Sequence, residues 1–445
     1  MKISVVGTGY VGLVSGVCLA EVGHEVICVD NDINKVSKIN SGNSPIYEES
    51  LTELLSKHIN SNLQATTDLP YAVKKSDLTI IAVGTPYGGD NIDLKYIKQV
   101  SKEIGEVLKD KSTYHVVVVK STVVPGTTDQ VVLPLLEKYS EKKAGLDFGV
   151  GMNPEFLREG TAISDFMHPD RIVLGGIDEK TQSKLAEIYT PFINTDKLKT
   201  NNKTAEMIKY TSNSLLATLI SFSNEIGNLC TVLGNMDALE VMRGVHLDKR
   251  ISPILENNKR ISPSIISYLE AGCGFGGSCF PKDVKALISH GINAGQKMQL
   301  LSSVIDINKE QPKQVLNLLL KHYPKLEGKK IAILGLAFKP GTNDMRESPA
   351  IPIVNDLLAE NTIITAYDPV AQEEAKKVFD NLNITYSKSV YEVVKGVDAV
   401  LLLTRWPEFE TLPEILNAAE NPPLLIDGRR MLQKDCLPRY EGIGL

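Results

Sequence analysis

The stretch Ile3-Ser4-Val5-Val6-Gly7-Thr8-Gly9-Tyr10-Val11-Gly12 decides the fold of this chain. Its apolar start predicts a short buried strand, and its three glycines predict a tight turn into a helix that runs to Glu21. After Gly23, a second predicted strand runs from His24 to Asp30 and ends in an acid. This order of strand, glycine turn, helix, strand and acid is typical of a Rossmann βαβ unit.

Such a unit binds a dinucleotide largely through its backbone. Gly7 allows the tight turn, and Gly9 lets a pyrophosphate approach the N–H groups at the helix N-terminus. Asp30 stands where a carboxylate binds the ribose 2′-hydroxyl and would repel a 2′-phosphate, so the sequence favours NAD over NADP. Lys35 weakens this preference because it offers a compensating positive charge. The alternative interpretation is a glycine turn that serves only packing.

Further polar residues follow predicted strands of the same sheet. Thr85 and Thr122 each follow an apolar strand, and Glu155 and Glu159 follow a third. Because the carboxyl ends of parallel strands line the ligand crevice, we expect some of these side chains to face the cofactor. A cap of a loop or helix explains each threonine about as well, and a lone glutamate is more often a solvated surface group.

The middle of the chain predicts one long helix from Thr204 to about Leu233. This segment contains no proline, and its apolar residues recur at helical spacing over a wide face, which predicts a homodimer core. Lys209 and Asn213 lie four residues apart and therefore share one face. A lysine on a helix is normally a solvent group, so this pair gains weight only beside the cysteine motif described below.

The last third of the chain predicts a second α/β domain with a parallel sheet. Its predicted strands lie at 329–334, 363–368, 399–403 and 424–427. Lys339 follows the first of these strands, and Arg429 and Arg430 follow the last. Each basic residue alone is more often a surface charge, but three at strand ends predict a grip on a phosphate-bearing ligand.

The run Gly274-Phe275-Gly276-Gly277-Ser278-Cys279-Phe280-Pro281-Lys282-Asp283 predicts a reactive thiol. Pro281 predicts the start of a helix that ends at Gly291. Cys279 then lies at the positive end of the helix dipole beside Lys282, and both features favour the thiolate. The glycines are expected to leave the sulfur open to a substrate. The alternative is a buried structural cysteine.

Composition excludes several classes of protein. The 445 residues carry a net charge of −6 and the apolar fraction of an ordinary globular protein, so neither a nucleic acid nor a membrane is expected as the main partner. The six cysteines have no metal-ligand or disulfide spacing, which favours a reducing cytoplasm and no metal site. The N-terminus has no signal-peptide profile, and no apolar run is expected to reach transmembrane length.

Taken together, these motifs resemble the UDP-glucose/GDP-mannose dehydrogenase family from Met1 to about Arg430. The matching motifs are Gly7 to Gly12, Ser121-Thr122-Val123, Asn153 to Gly160, Lys209 with Asn213, Gly274 to Asp283, Gly335 to Pro340, Arg346 to Ala350 and Asp427 to Arg430. The form of Ser278 to Asp283 resembles the members that oxidise UDP-glucose most.

The resemblance implies two Rossmann-like, doubly wound parallel-sheet domains joined by a central helical domain with a long helix. Residues 1–200 are expected to bind NAD, residues 201–310 to form the helical dimerisation domain, and residues 311–445 to bind the UDP-sugar. The implied reaction converts UDP-glucose, two NAD⁺ and water into UDP-glucuronate and two NADH, through a cysteine thiohemiacetal and thioester.

The resemblance also assigns roles to residues. The implied catalytic residues are Cys279 as nucleophile, Lys209 as oxyanion stabiliser, Asn213 as a donor to the same oxygen or to a water, and Asp283, Thr122 and Glu155 as groups that hold or activate the water. Asp283 and Glu155 both remain candidates for the hydrolytic base. The implied cofactor contacts are Gly7, Gly9, Tyr10, Val11, Gly12, Asp30, Lys35, Thr85, Thr122, Glu159, Lys282 and Arg346. The implied substrate contacts are Glu155, Phe156, Leu157, Arg158, Glu159, Lys209, Asn213, Arg260, Tyr268, Leu269, Glu270, Ala271, Gly272, Gly276, Phe280, Phe338, Lys339 and Arg430.

The sequence departs from the family pattern in two places. Tyr268 and Glu270 stand where members often have Phe and Asn, which is expected to alter contacts of the sugar-nucleotide loop. The run at 249–253 is repeated at 259–263, whereas the family has one such arginine, which reaches the substrate of the neighbouring subunit. Spacing back from the cysteine favours Arg260 for this role, with Arg250 as the alternative.

Two rival functions remain open at this point. The first is oxidation of GDP-mannose or a UDP-N-acetylhexosamine by the same chemistry. The second is a non-catalytic nucleotide-sugar sensor, against which the complete set of Cys279, Lys209, Asn213 and Asp283 argues.

Overall fold

Both predicted sheets are present, one in each of the two units into which the chain divides, Met1–Ser212 and Asn213–Leu445. The computed structural model describes residues 1–89 and 91–445. The fold class predicted from the sequence, two Rossmann-like α/β domains with a long helix, is confirmed.

The sheet of the first unit has the strand order β3-β2-β1-β4-β5-β6-β7-β8. Its strands are β1 (Lys2–Val6), β2 (Glu25–Val29), β3 (Leu63–Thr66), β4 (Leu78–Ile81), β5 (His115–Val119), β6 (Phe148–Met152), β7 (Arg171–Gly176) and β8 (Asp196–Thr200). Neighbouring strands are parallel except for β6 and β7, which pair antiparallel through Met152 and Gly175. The expected parallel sheet is therefore present, and β6 and β7 form an antiparallel pair within it because the chain turns back along the sheet after β6.

Helices cover this sheet. They are α1 (Tyr10–Glu21), α2 (Ile33–Asn40), α3 (Leu51–His58), α4 (Leu69–Lys75), α5 (Lys95–Lys109), α6 (Leu133–Ser140), α7 (Ala162–Met167) and α8 (Glu179–Ile188), with a π-helical turn at Thr128–Val132 before α6. Strand β5 is buried throughout because apolar clusters lie on both of its faces. Val116 and Val118 pack into one cluster, and Val117 and Val119 pack into the other.

The predicted long helix is present as α9 (Asn202–Leu233). Large apolar side chains on it are exposed, among them Leu215, Phe222 and Leu229. By length and composition alone α9 passes the test for a membrane-spanning helix, so the expectation that no segment reaches that length does not hold. One such helix is weak evidence, because the core helix of a soluble protein passes the same test.

The second unit contains a parallel sheet of strand order β11-β10-β9-β12-β13-β14. Its strands are β9 (Lys330–Leu334), β10 (Ile363–Tyr367), β11 (Ile384–Tyr386), β12 (Ala399–Leu402), β13 (Leu424–Asp427) and β14 (Tyr440–Gly442). Its helices after α9 are α10 (Ala238–His246), α11 (Phe280–Asn293), α12 (Gln299–Glu310), α13 (Pro312–His322), α14 (Ala350–Ala359), α15 (Gln372–Val378), α16 (Val390–Val393) and α17 (Leu412–Asn417). Short 3₁₀ turns lie at Ser264–Tyr268, Pro407–Thr411 and Lys434–Cys436.

The helix that follows the cysteine does not end where the sequence predicts. Helix α11 continues through Gly291 to Asn293. A side chain at Gly291 would lie 2.5 Å from Cγ of Met298, so this glycine makes room for packing rather than ending the helix. The left-handed glycine after the helix is Gly295, with φ of +84°.

Candidate functional site

A dinucleotide cradle lies where the strand order of the first sheet reverses, between β1 and β4. Gly7 has φ of +98°, and a Cβ there would lie 2.7 Å from the Ala82 carbonyl oxygen. A Cβ at Gly12 would lie 1.8 Å from the Gly7 oxygen, so the first and third glycines allow strand and helix to pack. Gly9 faces open space at the start of α1, which fits a pyrophosphate bound by the backbone.

Asp30 completes this cradle as a fixed anion. Its carboxylate accepts hydrogen bonds from the N–H of Thr8 at 2.9 Å, from the Thr8 hydroxyl at 2.6 Å and from the N–H of Asp32 at 3.0 Å. Burial works to raise the pKa of Asp30, but these hydrogen bonds and Lys35, 3.8 Å away, hold it below its usual value. An ionised carboxylate here favours a free ribose hydroxyl over a 2′-phosphate.

Glu48 joins the start of α1 to the loop after β6, and no sequence motif marks it. Its carboxylate accepts a short hydrogen bond from the Tyr10 hydroxyl and bonds of 2.7 Å from the N–H groups of Gly160 and Ala162. The Tyr10 side chain therefore points at Glu48, while its cofactor contact stays a prediction.

The ends of β4 and β5 meet, as their predicted positions in the sheet require. The Thr85 hydroxyl donates to the carbonyl oxygen of Thr122 at 2.8 Å. This bond fits a threonine that caps the loop after β5. Thr85 also lies at the edge of the sheet where the cofactor is expected.

A buried ion pair follows β6. The carboxylate of Glu155 lies 2.9 Å from the Lys209 ammonium on α9, and both side chains are about 5 % exposed or less. Burial works to raise the pKa of Glu155, but Lys209, the N–H of Leu157 and Lys120 together lower it. Of the two glutamates after β6, Glu155 is thus held as a buried anion.

The rest of this loop is fixed by its own contacts. The Phe156 ring lies under the guanidinium of Arg171, with 3.8 Å from Cζ to the ring centre. Arg158 is exposed and paired with Asp165. Leu157 packs against the apolar core, and Glu159 is half-buried. Arg171, at the start of β7, is not marked by any motif in the sequence.

The cysteine motif lies at the start of α11, in the second unit. Cys279 is exposed and occupies the N-cap position, with Pro281 in the first turn, so the prediction of helix start and accessible sulfur is confirmed. Asp283, one turn on, is buried and accepts hydrogen bonds of 2.6 Å from Asn213 and from Lys282. The structure thus brings together four of the predicted site residues, namely Cys279, Lys282, Asp283 and Asn213.

The glycines before Cys279 have a different role from the one expected. A Cβ at Gly276 would lie 2.2 Å from the Glu347 carbonyl oxygen, and one at Gly277 would lie 2.7 Å from the Phe338 ring. The Gly277 N–H also donates to the carbonyl of Arg346 at 2.8 Å. These glycines let the loop pack against the segment after β9, so the expectation that they serve to leave the sulfur open needs this correction.

Three aromatic rings, those of Tyr268, Phe275 and Phe280, pack together beside the same loop. The ring centres of Tyr268 and Phe280 are 6.4 Å apart, and those of Phe275 and Phe280 are 5.9 Å apart. Glu270 forms an ion pair of 2.6 Å with Arg405. The backbone next to it is tied down, since the N–H of Gly272 donates to Asn224 at 2.8 Å. The remaining residues of this stretch, Leu269 and Ala271, are half-buried and buried.

The basic residues after β9 and β13 are largely engaged within the protein. Arg430 is buried, and its Nη2 donates to both carboxylate oxygens of Asp237 at 2.9 Å, so the structure does not support its predicted grip on a phosphate. Arg429 donates to the carbonyls of Leu403 and Gly274. Lys339 lies beside the ring of Phe338.

The remaining basic candidates are also paired. Arg346 is paired with Asp344. Arg250 pairs with Asp248, and Arg260 donates to the carbonyls of Leu247 and Ser252. The repeated segment forms a small hairpin in which Ile254 bridges to Arg260, so the choice between the two arginines stays open. Over residues 1–89 and 91–445, no group of three His, Cys, Asp or Glu side chains is arranged to hold a metal ion.

Comparisons with known proteins agree with these two sheets and their motifs. Residues 1–193 match the NAD-binding domain of the UDP-glucose/GDP-mannose dehydrogenase family, residues 203–310 its central domain and residues 332–434 its UDP-binding domain. The chain is 40 % identical to the UDP-glucose 6-dehydrogenase AglM of Haloferax volcanii over 448 residues, covering 100 % of both chains.

Two solved structures are also similar over nearly their whole length. A UDP-glucose dehydrogenase of Pyrobaculum islandicum matches with a TM-score of 0.89 and 37 % identity, over 99 % of this chain and 97 % of the other. A UDP-D-ManNAc dehydrogenase of Pyrococcus horikoshii matches with a TM-score of 0.84 and 29 % identity, over 100 % of this chain and 99 % of the other. On these matches and the motifs at both sheets, the chain belongs to the UDP-glucose/GDP-mannose dehydrogenase family.

Proposed function

We propose that the protein is a UDP-glucose 6-dehydrogenase that oxidises UDP-glucose to UDP-glucuronate with two NAD⁺ and one water. The observation that carries this function is the exposed Cys279 at the N-terminus of α11, with the hydrogen-bonded Asn213–Asp283 pair one turn away. Relatives at about 40 % identity over the full chain are UDP-glucose 6-dehydrogenases.

The residues of the cradle would hold the cofactor. Gly9 offers its open backbone to the pyrophosphate, and Asp30 accepts a hydrogen bond from the adenosine ribose. NAD⁺ supplies the hydride acceptor for each of the two oxidations. The close packing of Gly7 against Ala82 and of Gly12 against Gly7 holds the turn between β1 and α1 in place.

The protein groups act on the sugar carbon that is oxidised. The Cys279 thiolate adds to the C6 aldehyde, forming a C–S bond, and after the second oxidation the sulfur carries the glucuronyl group as a thioester. Water then cleaves the C–S bond and the thiolate leaves. Lys209, held in place by Glu155, stabilises the negative oxygen on C6, and Asn213 donates to the same oxygen or to the water.

The base that activates this water is one of two buried carboxylates. Asp283 is bonded to Lys282 and Asn213, and Glu155 is bonded to Lys209. Thr122 is expected to help hold the water. The uridine diphosphate is expected to bind to the aromatic and glycine loop around Tyr268, together with Lys339.

A panel of nucleotide sugars tests the proposal, with NADH absorbance as the readout. A clear rate with UDP-glucose and two NADH per sugar support it. A rate only with UDP-N-acetylmannosamine or GDP-mannose would move the assignment to another branch of the family. Binding of ligands without NADH from any sugar would favour the sensor.

We further propose that the protein is a cytoplasmic homodimer. Along α9 the exposed side chains include Leu215 at 51 %, Phe222 at 48 % and Leu229 at 52 %. Soluble monomers rarely expose large apolar patches, so we expect a second copy of the chain to cover these side chains. All six cysteines are free, as a reducing compartment requires. A stable monomer in light scattering at micromolar concentration would contradict the dimer, and cell fractionation tests the compartment.

A further inference from the structure

A second buried lysine lies next to the Glu155–Lys209 pair. Lys120 directly follows β5, and its side chain is 4 % exposed. Its ammonium donates a hydrogen bond to Oδ1 of Asn153 at 3.0 Å. Asn153 lies two residues before Glu155, so Lys120 is connected to the segment that positions this carboxylate.

Asn153 is held from two further sides. The Tyr189 hydroxyl donates a short hydrogen bond to the same Oδ1 atom, and the side-chain amide of Asn153 donates to the carbonyl of Val173 at 2.9 Å. Every polar atom of this amide therefore has a fixed partner. A fully bonded buried network of this kind holds one geometry, because losing any partner leaves a buried polar atom unpaired.

The charges of Lys120, Glu155 and Lys209 also influence one another. Burial lowers the pKa of Lys120 to about 8, Glu155 opposes this shift, and the positive charge of Lys209 adds to it. The buried carboxylate of Glu155 thus interacts with the ammonium groups of both Lys209 and Lys120. The titratable groups that face Lys120 are Glu155 from the loop after β6 and Lys209 from α9, with the Tyr189 hydroxyl at the end of α8 reached through Asn153.

We propose that Lys120 is a positioning residue, which fixes Asn153 and Glu155 so that the carboxylate holds the Lys209 ammonium in the geometry needed at the C6 oxygen. The inference depends on the function proposed above. Lys120 acts through Asn153 and Glu155 and not by touching sugar or cofactor, so its loss should affect turnover more than binding.

The test compares Lys120→Met, which removes charge and hydrogen bond, with Lys120→Gln, which keeps a donor to Asn153 and folds more readily. For Lys120→Met we expect kcat to fall roughly 10- to 100-fold with KM for UDP-glucose and NAD⁺ changed less than about 3-fold. The basic limb of the kcat profile should move to higher pH, because the Lys120 ammonium, whose pKa burial lowers to about 8, no longer titrates in this variant. Lys120→Gln should show the same shift with a smaller loss of kcat.

Lys111→Met is the matched control. Lys111 is a partly buried lysine of the first unit, and its ammonium donates to the carbonyls of Val73, Lys74 and Ser76. We expect this variant to lose stability but to keep the wild-type pH profile. Circular dichroism establishes the folded fraction of each variant.

The outcomes separate the two proposals. A wild-type protein that does not oxidise UDP-glucose overturns the proposed function and this inference with it. An active wild type with unchanged kcat and pH profile in both Lys120 variants overturns the inference alone. The same holds if activity falls only in proportion to the folded fraction, since that result indicates a purely structural lysine.

Discussion

The carboxylate of Asp283 is shared between Asn213 and Lys282, with one oxygen bonded to each at 2.6 Å. The N–H of Asp283 donates to the carbonyl of Cys279 at 2.8 Å, so the acid and the thiol belong to the same first turn of α11. The carboxylate is thereby fixed close to the nucleophile, which suits a group that takes a proton or holds a water during hydrolysis.

Replacing Asp283 by Asn should slow hydrolysis of the thioester. The amide removes the negative charge and replaces one of the two acceptor oxygens with an NH₂ donor, so Asn213 and Lys282 can no longer each bond to an oxygen of their own. We expect kcat to fall roughly 100-fold, with an acyl adduct accumulating on Cys279 that peptide mass spectrometry detects. Glu155→Gln, measured in parallel, distinguishes the two candidate bases, since only loss of the base should accumulate the adduct.

The exposed ion pair of Glu310 and Lys313 provides a control for this experiment. Glu310→Gln should leave turnover unchanged, since surface pairs contribute little. Wild-type turnover in Asp283→Asn would show that this carboxylate takes no part in the reaction.

Lys209→Met should cost both activity and stability. Loss of the ammonium leaves Glu155 with only the weaker charge interaction with Lys120, so we expect roughly 3 kcal/mol of destabilisation and a loss of kcat of about 100-fold or more. The double variant Lys209→Met/Glu155→Gln removes the uncompensated buried charge. Denaturant unfolding should show stability partly restored in the double variant while turnover stays lost.

If turnover instead returned in this double variant, the ammonium would not stabilise the C6 oxygen. Unchanged stability in Lys209→Met would contradict the buried ion pair itself.

Glu48→Gln should weaken the connection between the start of α1 and the loop after β6, and with it the binding of cofactor and sugar. The glutamine side chain has a single acceptor oxygen, whereas the carboxylate serves Tyr10 on α1 and the N–H groups of Gly160 and Ala162. We expect the Kd for NAD⁺ and KM for the sugar to rise roughly 5- to 10-fold, corresponding to about 1 kcal/mol each. Tyr10→Phe, which keeps the carboxylate, should have a smaller effect. Unchanged constants in Glu48→Gln would mean that this link is not needed for binding.

Glu206 should make stability depend on pH. It is fully buried, and burial raises its pKa to about 7 although the N–H groups of Gly126 and Thr128 donate to it. Its unfolded value is about 4.3, so the folded state binds the proton more tightly. The stabilisation of the folded state by the protonated Glu206 is complete below about pH 4. It is lost as pH rises through 7, by an amount on the order of 3 kcal/mol.

The variant Glu206→Gln, which carries no titrating group, should therefore lose less Tm than the wild type between pH 5 and pH 8. Glu53→Gln, at an exposed position of α3, provides the control and should keep the wild-type slope. Equal slopes in all three proteins would contradict a protonated Glu206 in the folded state.

The cofactor cradle was predictable because its signal is local. Gly7, Gly9 and Asp30 lie within a single βαβ unit, and each has a role that only a small residue or an acid can fill. The reactive cysteine was predictable for the same reason, since Pro281 marks the start of its helix two residues later. The long helix α9 followed from its apolar periodicity.

The parts that escaped prediction depend on distant contacts. Glu48 binds N–H groups 112 and 114 residues further along the chain, and no periodicity connects them. Arg430 was expected to bind a ligand, but its partner Asp237 lies 193 residues away. Gly277 has a packing role because the Phe338 ring lies against it, which only the folded backbone shows.

The proposed reaction requires that the Cys279 sulfur carries the sugar between its two oxidations. Chromatographic measurement of the UDP-glucuronate formed by Cys279→Ala tests this requirement. We expect a folded variant that binds NAD⁺ nearly as well as the wild type and forms no UDP-glucuronate. Production of UDP-glucuronate at the wild-type rate would contradict it.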